Sequence, residues 1–172
     1  MYIFWNILII IFTVIMMEII ATLTHKYIMH GCGWNLHLSH HKKHTNKLEL
    51  NDIYAIFFSF IAIILIYLGI VGKLILELIG IGITTYGILY FIFHDGIVHQ
   101  RWTIHYTPNK GYLKRIYIAH LMHHTTNKKE GCISFGFIYA PPILKLKQKL
   151  IKINEYKINE DVAKENKDAS VD

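Results

Sequence analysis

The sequence predicts an all-α integral membrane protein, with three to four transmembrane helices and a histidine-rich cap on one face. Three observations carry that expectation. Hydrophobic residues make up 53% of the 172 positions and charged residues only 17%, with a mean hydropathy of +0.32, whereas a soluble domain carries about 25% charged residues. The apolar residues gather into three long blocks rather than being spread at core spacing. All twelve histidines fall outside those blocks.

The first block covers residues 2–24, with Asn6 and Glu18 as its strongly polar positions, the second residues 53–71, and the third residues 74–93, with Glu77 near its start. A helix needs about 20 residues at about 1.5 Å each to cross the hydrocarbon layer, and each block meets or nearly meets that length. The N-terminus lacks the basic segment and small-residue cleavage site of a signal peptide, so the first block is expected to remain as an anchor. Gly69, Gly72 and Lys73 mark a short turn between the second and third blocks. Counting crossings then puts residues 24–52 and everything after residue 93 on one side. Seventeen of the eighteen Lys and Arg residues lie there, all but Lys73, which makes that side cytoplasmic by the positive-inside rule. Cys32 and Cys132 lie there too, where a disulfide is not expected.

Beyond residue 93 the pattern is mixed. Residues 112–124 read as a helix. Residues 133–143 are apolar and aromatic and end in Pro141-Pro142; the sequence leaves open whether they lie at the interface, re-enter the bilayer or contribute to a fourth helix. A short amphipathic helix is expected over 144–153. Residues 1–150 are expected to form one membrane-embedded domain, and 151–172 a polar, disordered tail. The net charge of +6 is mostly lysine and suits anionic lipid headgroups. No aromatic-bearing basic face or known motif suggests nucleic-acid binding.

The histidines are spaced in a duplicated pattern. His25 and His30 make H-x4-H, repeated by His94 and His99; His37, His40 and His41 make H-x2-H-H, repeated by His120, His123 and His124. On a helix, positions i, i+3 and i+4 share a face, so each triplet is expected to point three imidazoles at one place. Positions i and i+5 stand about 140° apart on an α-helix, so the H-x4-H pairs are expected to converge where a membrane helix unwinds or ends. Ten neutral imidazoles can hold two metal ions with positions left open, and imidazole alone leaves iron, zinc, copper and nickel as alternatives. Scattered surface histidines have no packing reason to keep such intervals. For His44 and His105, outside the pattern, a surface or core role is the simpler reading. A metal store or transporter would place its ligands near mid-membrane. The cap is therefore read as a cytoplasmic metal cap.

The stretches H25-K-Y-I-M-H-G31, H37-L-S-H-H41, N51-D-I-Y-A55, H94-D-G-I-V-H-Q-R-W102, A119-H-L-M-H-H124 and E130-G-C-I-S-F-G-F-I-Y-A-P-P142 resemble the bacterial β-carotene 3-hydroxylases, within the fatty-acid-hydroxylase and sterol-desaturase superfamily of membrane di-iron enzymes. The resemblance runs from about Glu18 to Lys149. The histidine boxes point to the superfamily, and the HDGIVHQRW and GCISFGFIYAPP strings to the carotenoid branch. Cys32 stands where that family often has tryptophan, and Leu121 where it often has a basic residue. The resemblance implies two non-haem iron ions held by the ten histidines, O2 as co-substrate, electrons from a ferredoxin-type donor, and a carotenoid drawn from the bilayer. The implied reaction is hydroxylation of β-ionone rings at carbon 3, from β-carotene through β-cryptoxanthin to zeaxanthin, in a bacterial cytoplasmic membrane with the site facing the cytoplasm. A carotenoid ketolase, a sterol or fatty-acid hydroxylase, and a metal-binding membrane protein without catalysis stay open as alternatives.

Three carboxylates sit near the boxes. Glu18 lies seven residues before His25, on about the same helical face, and is expected to accept a hydrogen bond from a ligand imidazole; a helix–helix hydrogen bond is the plainer role. Asp52 opens the second span, where it suits either the helix N-terminus or a ligand imidazole. Asp95 adjoins His94 and could orient a ligand or turn the chain with Gly96. Trp34 and Trp102 are expected to anchor at the interface.

Overall fold

The computed structural model describes residues 2–42, 48–101, 106–126 and 128–168, with side chains through residue 155. Its elements are helical. Helix α1 (Tyr2–Leu23) continues as a π-helical stretch, Thr24–Cys32, and a short α2 (Trp34–His41) follows. Helices α3 (Asp52–Ile70) and α4 (Leu74–Tyr90) form an antiparallel hairpin, and α4 continues as a second π-helical stretch, Phe91–Val98. Helix α5 (Gly111–His123) and helix α6 (Ile143–Asp168) complete the chain. Among the described residues, three helices are long and apolar enough to cross a membrane: Tyr2–Cys32, Asp52–Ile70 and Leu74–Val98. They match the three apolar blocks.

The spans turn apolar side chains outward. Phe60, Ile63 and Tyr67 on α3 are 61%, 65% and 66% exposed, a surface that only lipid can cover. Helix α4 is the central element. It packs against both α1 and α3, which among the described residues do not approach each other at backbone distance. Close contact is achieved through glycine. A Cβ on Gly82 would lie 2.6 Å from Thr13 Cβ of α1, and one on Gly80 would lie 2.7 Å from Ile66 Cγ1 of α3. Between the three helices, Met17, Ala21, Ala62, Ile83, Tyr86 and Phe137 form the membrane core.

The open question over residues 133–143 resolves as an irregular strap. It carries no helix until Ile143, directly after Pro141-Pro142, where proline suits a helix start. Ile133 is fully buried, and with Ala140 it packs against Ile116 and Ala119 of α5 and Leu146 of α6 in a second core. The expected amphipathic helix over 144–153 is longer in the structure: α6 runs on to Asp168. Cys32 is exposed and Cys132 is buried.

Candidate metal centre

The first H-x4-H pair lies in the π-helical continuation Thr24–Cys32, and the second runs from His94 within Phe91–Val98 to His99, the residue that caps that stretch. In the second, the His99 N–H donates to the His94 carbonyl at 2.9 Å, so one i→i+5 bond spans the pair itself. In the first, Gly33 N–H donates to Ile28 O at 2.8 Å with the same spacing. An α-helix would splay these histidines apart; a π-turn holds one extra residue and brings i and i+5 to one face. The helices were expected to unwind or end here. They widen instead, and only the first breaks, at Gly31 (φ −111°, ψ −120°) just after His30.

The histidines assemble into two groups. His25, His30, His37, His41 and His123 form the first, and His40, His94, His99 and His120 the second; within each, the ligating nitrogens lie within 4.8 Å of one another. His124 joins the second group, its Nε2 2.9 Å from that of His120. The triplets do not each converge on one point, which corrects the expectation from spacing. In each H-x2-H-H box the outer histidines stay with their own half of the chain and the middle one crosses. His37 and His41 serve the first group and His40 the second; His120 and His124 serve the second and His123 the first. Adjacent residues on an α-helix point about 100° apart, so His40 and His41 cannot face the same centre, whereas i and i+4 can.

The ring orientations are fixed by acceptors at Nδ1. In the first group, His25 donates to Phe135 O (2.9 Å), His30 to Lys129 O (2.9 Å), His41 to Thr126 O (3.1 Å), His123 to Ile133 O (2.9 Å) and His37 to Asn51 Oδ1 (2.7 Å). In the second, His40 donates to Glu49 Oε2 and His94 to Asp95 Oδ1, both at 2.7 Å. Each of these acceptors lacks a proton of its own, so each Nδ1 carries the hydrogen and each Nε2 is left with its lone pair. Burial keeps the rings neutral. It pulls His37 down to about 3 and His41 to about 4, and, with crowding by neighbouring imidazoles, holds His40, His120, His123 and His124 below the ordinary histidine range.

The result is a set of facing lone pairs. Nε2 of His37 lies 3.1 Å from that of His25 and 3.2 Å from that of His41; His30 and His123 are 3.1 Å apart, as are His40 and His94. Two unprotonated nitrogens at that distance repel unless a cation lies between them. Nitrogens about 2.0–2.1 Å from one ion, at right angles to each other, stand about 3 Å apart. Donor type, tautomer and spacing thus all fit metal ligation, and the fixed Nδ1 partner is the usual companion of a ligating histidine.

The carboxylates sort differently from the expectation. Asp95 does hold a ligand-type imidazole, that of His94. Glu18 touches none: its carboxylate accepts from Tyr86 OH (2.8 Å) and from the backbone N–H groups of Phe137 (3.0 Å), Ile138 (3.1 Å) and Tyr139 (2.8 Å), pinning the strap to α1 and α4. Asp52 accepts Glu49 N–H at 3.0 Å and a two-pronged bond from Arg101 at 2.9 and 2.9 Å, so its role is one step removed from the imidazoles. Trp34, expected at the interface, lies against His30 and His41 (ring centroids 5.1 and 5.3 Å). Trp102, His44 and His105 lie outside the described residues. Glu49 and Asn51 escaped the sequence reading, although both stand in the acidic-amide run E49-L-N-D52, eight to ten residues past the first triplet.

An apolar cavity of about 510 Å³ adjoins the centre, within the membrane spans. Met17, Ala62 and Ile83 line its apolar depth, and Tyr90, Asp95 and Phe137 line it as well. Tyr90 stacks on His94 (4.4 Å, 20°) and Phe137 on His25 (5.0 Å, 13°), so one ring separates cavity from imidazole in each group.

The chain is similar to proteins of known activity. It is 59% identical to a beta-carotene hydroxylase of Pantoea ananas over 146 residues, which cover 85% of this chain and 83% of that protein. It is 50% identical to one of Pseudescherichia vulneris over 165 residues, covering 96% and 94%. Beta-carotene 3-hydroxylase 2 of Arabidopsis thaliana, a chloroplastic protein, is 37% identical over 129 residues, covering 73% of this chain and 42% of that one. No family model and no solved structure matches.

Proposed function

The chain belongs to the beta-carotene hydroxylase family, and from that premise we propose that it hydroxylates the β-ionone rings of carotenoids at carbon 3, taking β-carotene through β-cryptoxanthin to zeaxanthin. In this reading the ten box histidines hold two non-haem iron ions, O2 is the co-substrate, and a ferredoxin-type protein supplies electrons at the cytoplasmic face. Iron, when bound, supplies the one-electron chemistry that activates O2 toward an unactivated C–H bond.

The observation that carries the reading is the sharing of Tyr90 and Phe137 between the apolar cavity and the two histidine groups. A hydrocarbon ring in the cavity lies one aromatic ring away from an imidazole of each group. The cavity offers an isoprenoid ring shape and dispersion contacts, so orientation comes from packing rather than hydrogen bonds. Helices α1 and α3 stand apart over α4, and the polyene has a lateral route from lipid between them. The chain's own part in the chemistry is to hold imidazoles neutral and aimed, position the ring, and keep the site poor in water.

Pigment chromatography after expression in a β-carotene-producing cell tests this. The expected result is β-cryptoxanthin and zeaxanthin; unchanged β-carotene, or a ketolated product, overturns the assignment. Replacing His40, His41, His123 or His124 by Ala should abolish product while the protein still inserts in the membrane. Normal product from two or more of those variants would remove the histidines' role as ligands.

A further inference from the structure

We propose that the two histidine groups are electronically unequal, and that Glu49 and Asp95, locked in place by Arg101, make the second group the tighter and more electron-donating metal site. This rests on reading both groups as metal sites. The inequality is built into the acceptors behind the rings. All five imidazoles of the first group donate to uncharged oxygens: four main-chain carbonyls and the Asn51 amide. Two imidazoles of the second group, His40 and His94, donate to carboxylates.

An anionic acceptor draws the Nδ1 proton harder than a carbonyl does, through a shorter and about twofold stronger bond. The carboxylate bonds are 2.7 Å and the main-chain carbonyl bonds 2.9–3.1 Å; the neutral Asn51 amide also sits at 2.7 Å from His37, so what sets the two groups apart is the charge of the acceptor. Charge pushed into the ring raises the basicity of Nε2 toward a metal. Burial magnifies the effect, because the side chains of Glu49 and Asp95 are only 4% and 10% exposed.

Arg101 makes the arrangement rigid. It grips Asp52 with both terminal nitrogens, reaches Asp95 Oδ2 at 3.2 Å, and lies 3.9 Å from Glu49 Oε1. Asp52 in turn holds the Glu49 backbone. One guanidinium therefore positions both carboxylates that back the second group. Arg101, Glu49 and Asp95 act through the imidazoles and are positioning residues. Asn51 occupies the equivalent place behind His37 with a neutral group of nearly the same shape as an aspartate.

The test uses the purified, detergent-solubilised protein loaded with ⁵⁷Fe(II). Mössbauer spectra should resolve two iron environments of equal weight, and challenge with EDTA should release iron in two steps. Glu49→Gln should weaken the later-released ion by about 10–100-fold and leave the earlier step in place. Asn51→Asp puts a carboxylate behind His37 and should delay the earlier step, drawing the two together. One iron environment with a single release step overturns the inference, as does Glu49→Gln acting on the earlier step or Asn51→Asp releasing iron like the wild type. If Glu49→Gln does not accumulate, the wild-type spectrum and Asn51→Asp still decide. A protein that holds no iron under any loading overturns the iron centre itself, an outcome distinct from two equivalent ions.

Discussion

Glu18 shows how far a single side chain can be read. Its place seven residues before His25 was legible and puts both on about the same face of the first membrane helix, Tyr2–Cys32, but what that face meets is set by residues more than a hundred positions away. It meets the strap, and its carboxylate gathers the N–H groups of Phe137, Ile138 and Tyr139. The same strap supplies the Phe135 carbonyl that aims His25 and the Phe137 ring that stacks on it. Glu18→Gln removes the charge that gathers the three N–H groups on Oε1 and puts an NH2 in place of the oxygen that Tyr86 OH and Ile138 N–H share, a loss of about 1–3 kcal/mol. Faster hydrogen exchange at the amides of 137–139, with a fall in product per inserted molecule, is the expected outcome; wild-type exchange would sink it. The carbonyls of residues 126, 129, 133 and 135 were invisible in the sequence for a related reason. Every residue has a carbonyl, so only the fold distinguishes those that aim an imidazole. The crossing of His40 and His123 also has a measurable signature. His123→Ala should perturb the same iron environment as His30→Ala, and His40→Ala the other one.

At the scale of elements, the spans were legible because hydrophobic length is a one-dimensional property, and the three blocks match the three membrane-length helices. The π-turns were half legible. The H-x4-H spacing demanded a departure from α geometry, but unwinding and widening satisfy that demand equally in sequence. They differ in consequence. Inserting an alanine between Ile97 and Val98 should add one residue's turn to the stretch and swing His99 by about 100° relative to His94. We expect iron content to fall by about half or more while membrane insertion stays normal; unchanged iron would show that the π-turn does not set the pair. The α1–α4 contact makes a separate prediction. Gly82→Ala places a methyl on Thr13, and overpacking of this kind costs about 1–3 kcal/mol. A lower thermal midpoint in detergent checks it, and Gly87→Ala, with open space around the added Cβ, is the matched control.

At the scale of the whole molecule, orientation rests on charge. With Lys73 at the hairpin tip and the other cationic residues on the opposite side, cysteines placed at position 73 and at the exposed Lys149, with Cys32 and Cys132 replaced, should label oppositely in intact cells. An impermeant reagent should reach position 73 and not 149; the reverse would invert the topology. The fold class and the two-half pattern of histidines were plain in the sequence, but the exchange between halves was not, because it depends on how α2 and α5 are brought together. That exchange has a bearing on how the protein is made. Of the first-half histidines in the first group, His25, His30 and His41 take their aim from carbonyls at residues 126–135, and the second group is incomplete without His120 and His124. A ribosome that has delivered only the first hundred residues has therefore made His25, His30 and His41 without the carbonyls that aim them, while His37, His40 and His94 already have Asn51, Glu49 and Asp95. The first group cannot close until residues 126–135 have emerged and docked, and the second waits for His120 and His124, so neither set of imidazoles is complete until the later part of synthesis.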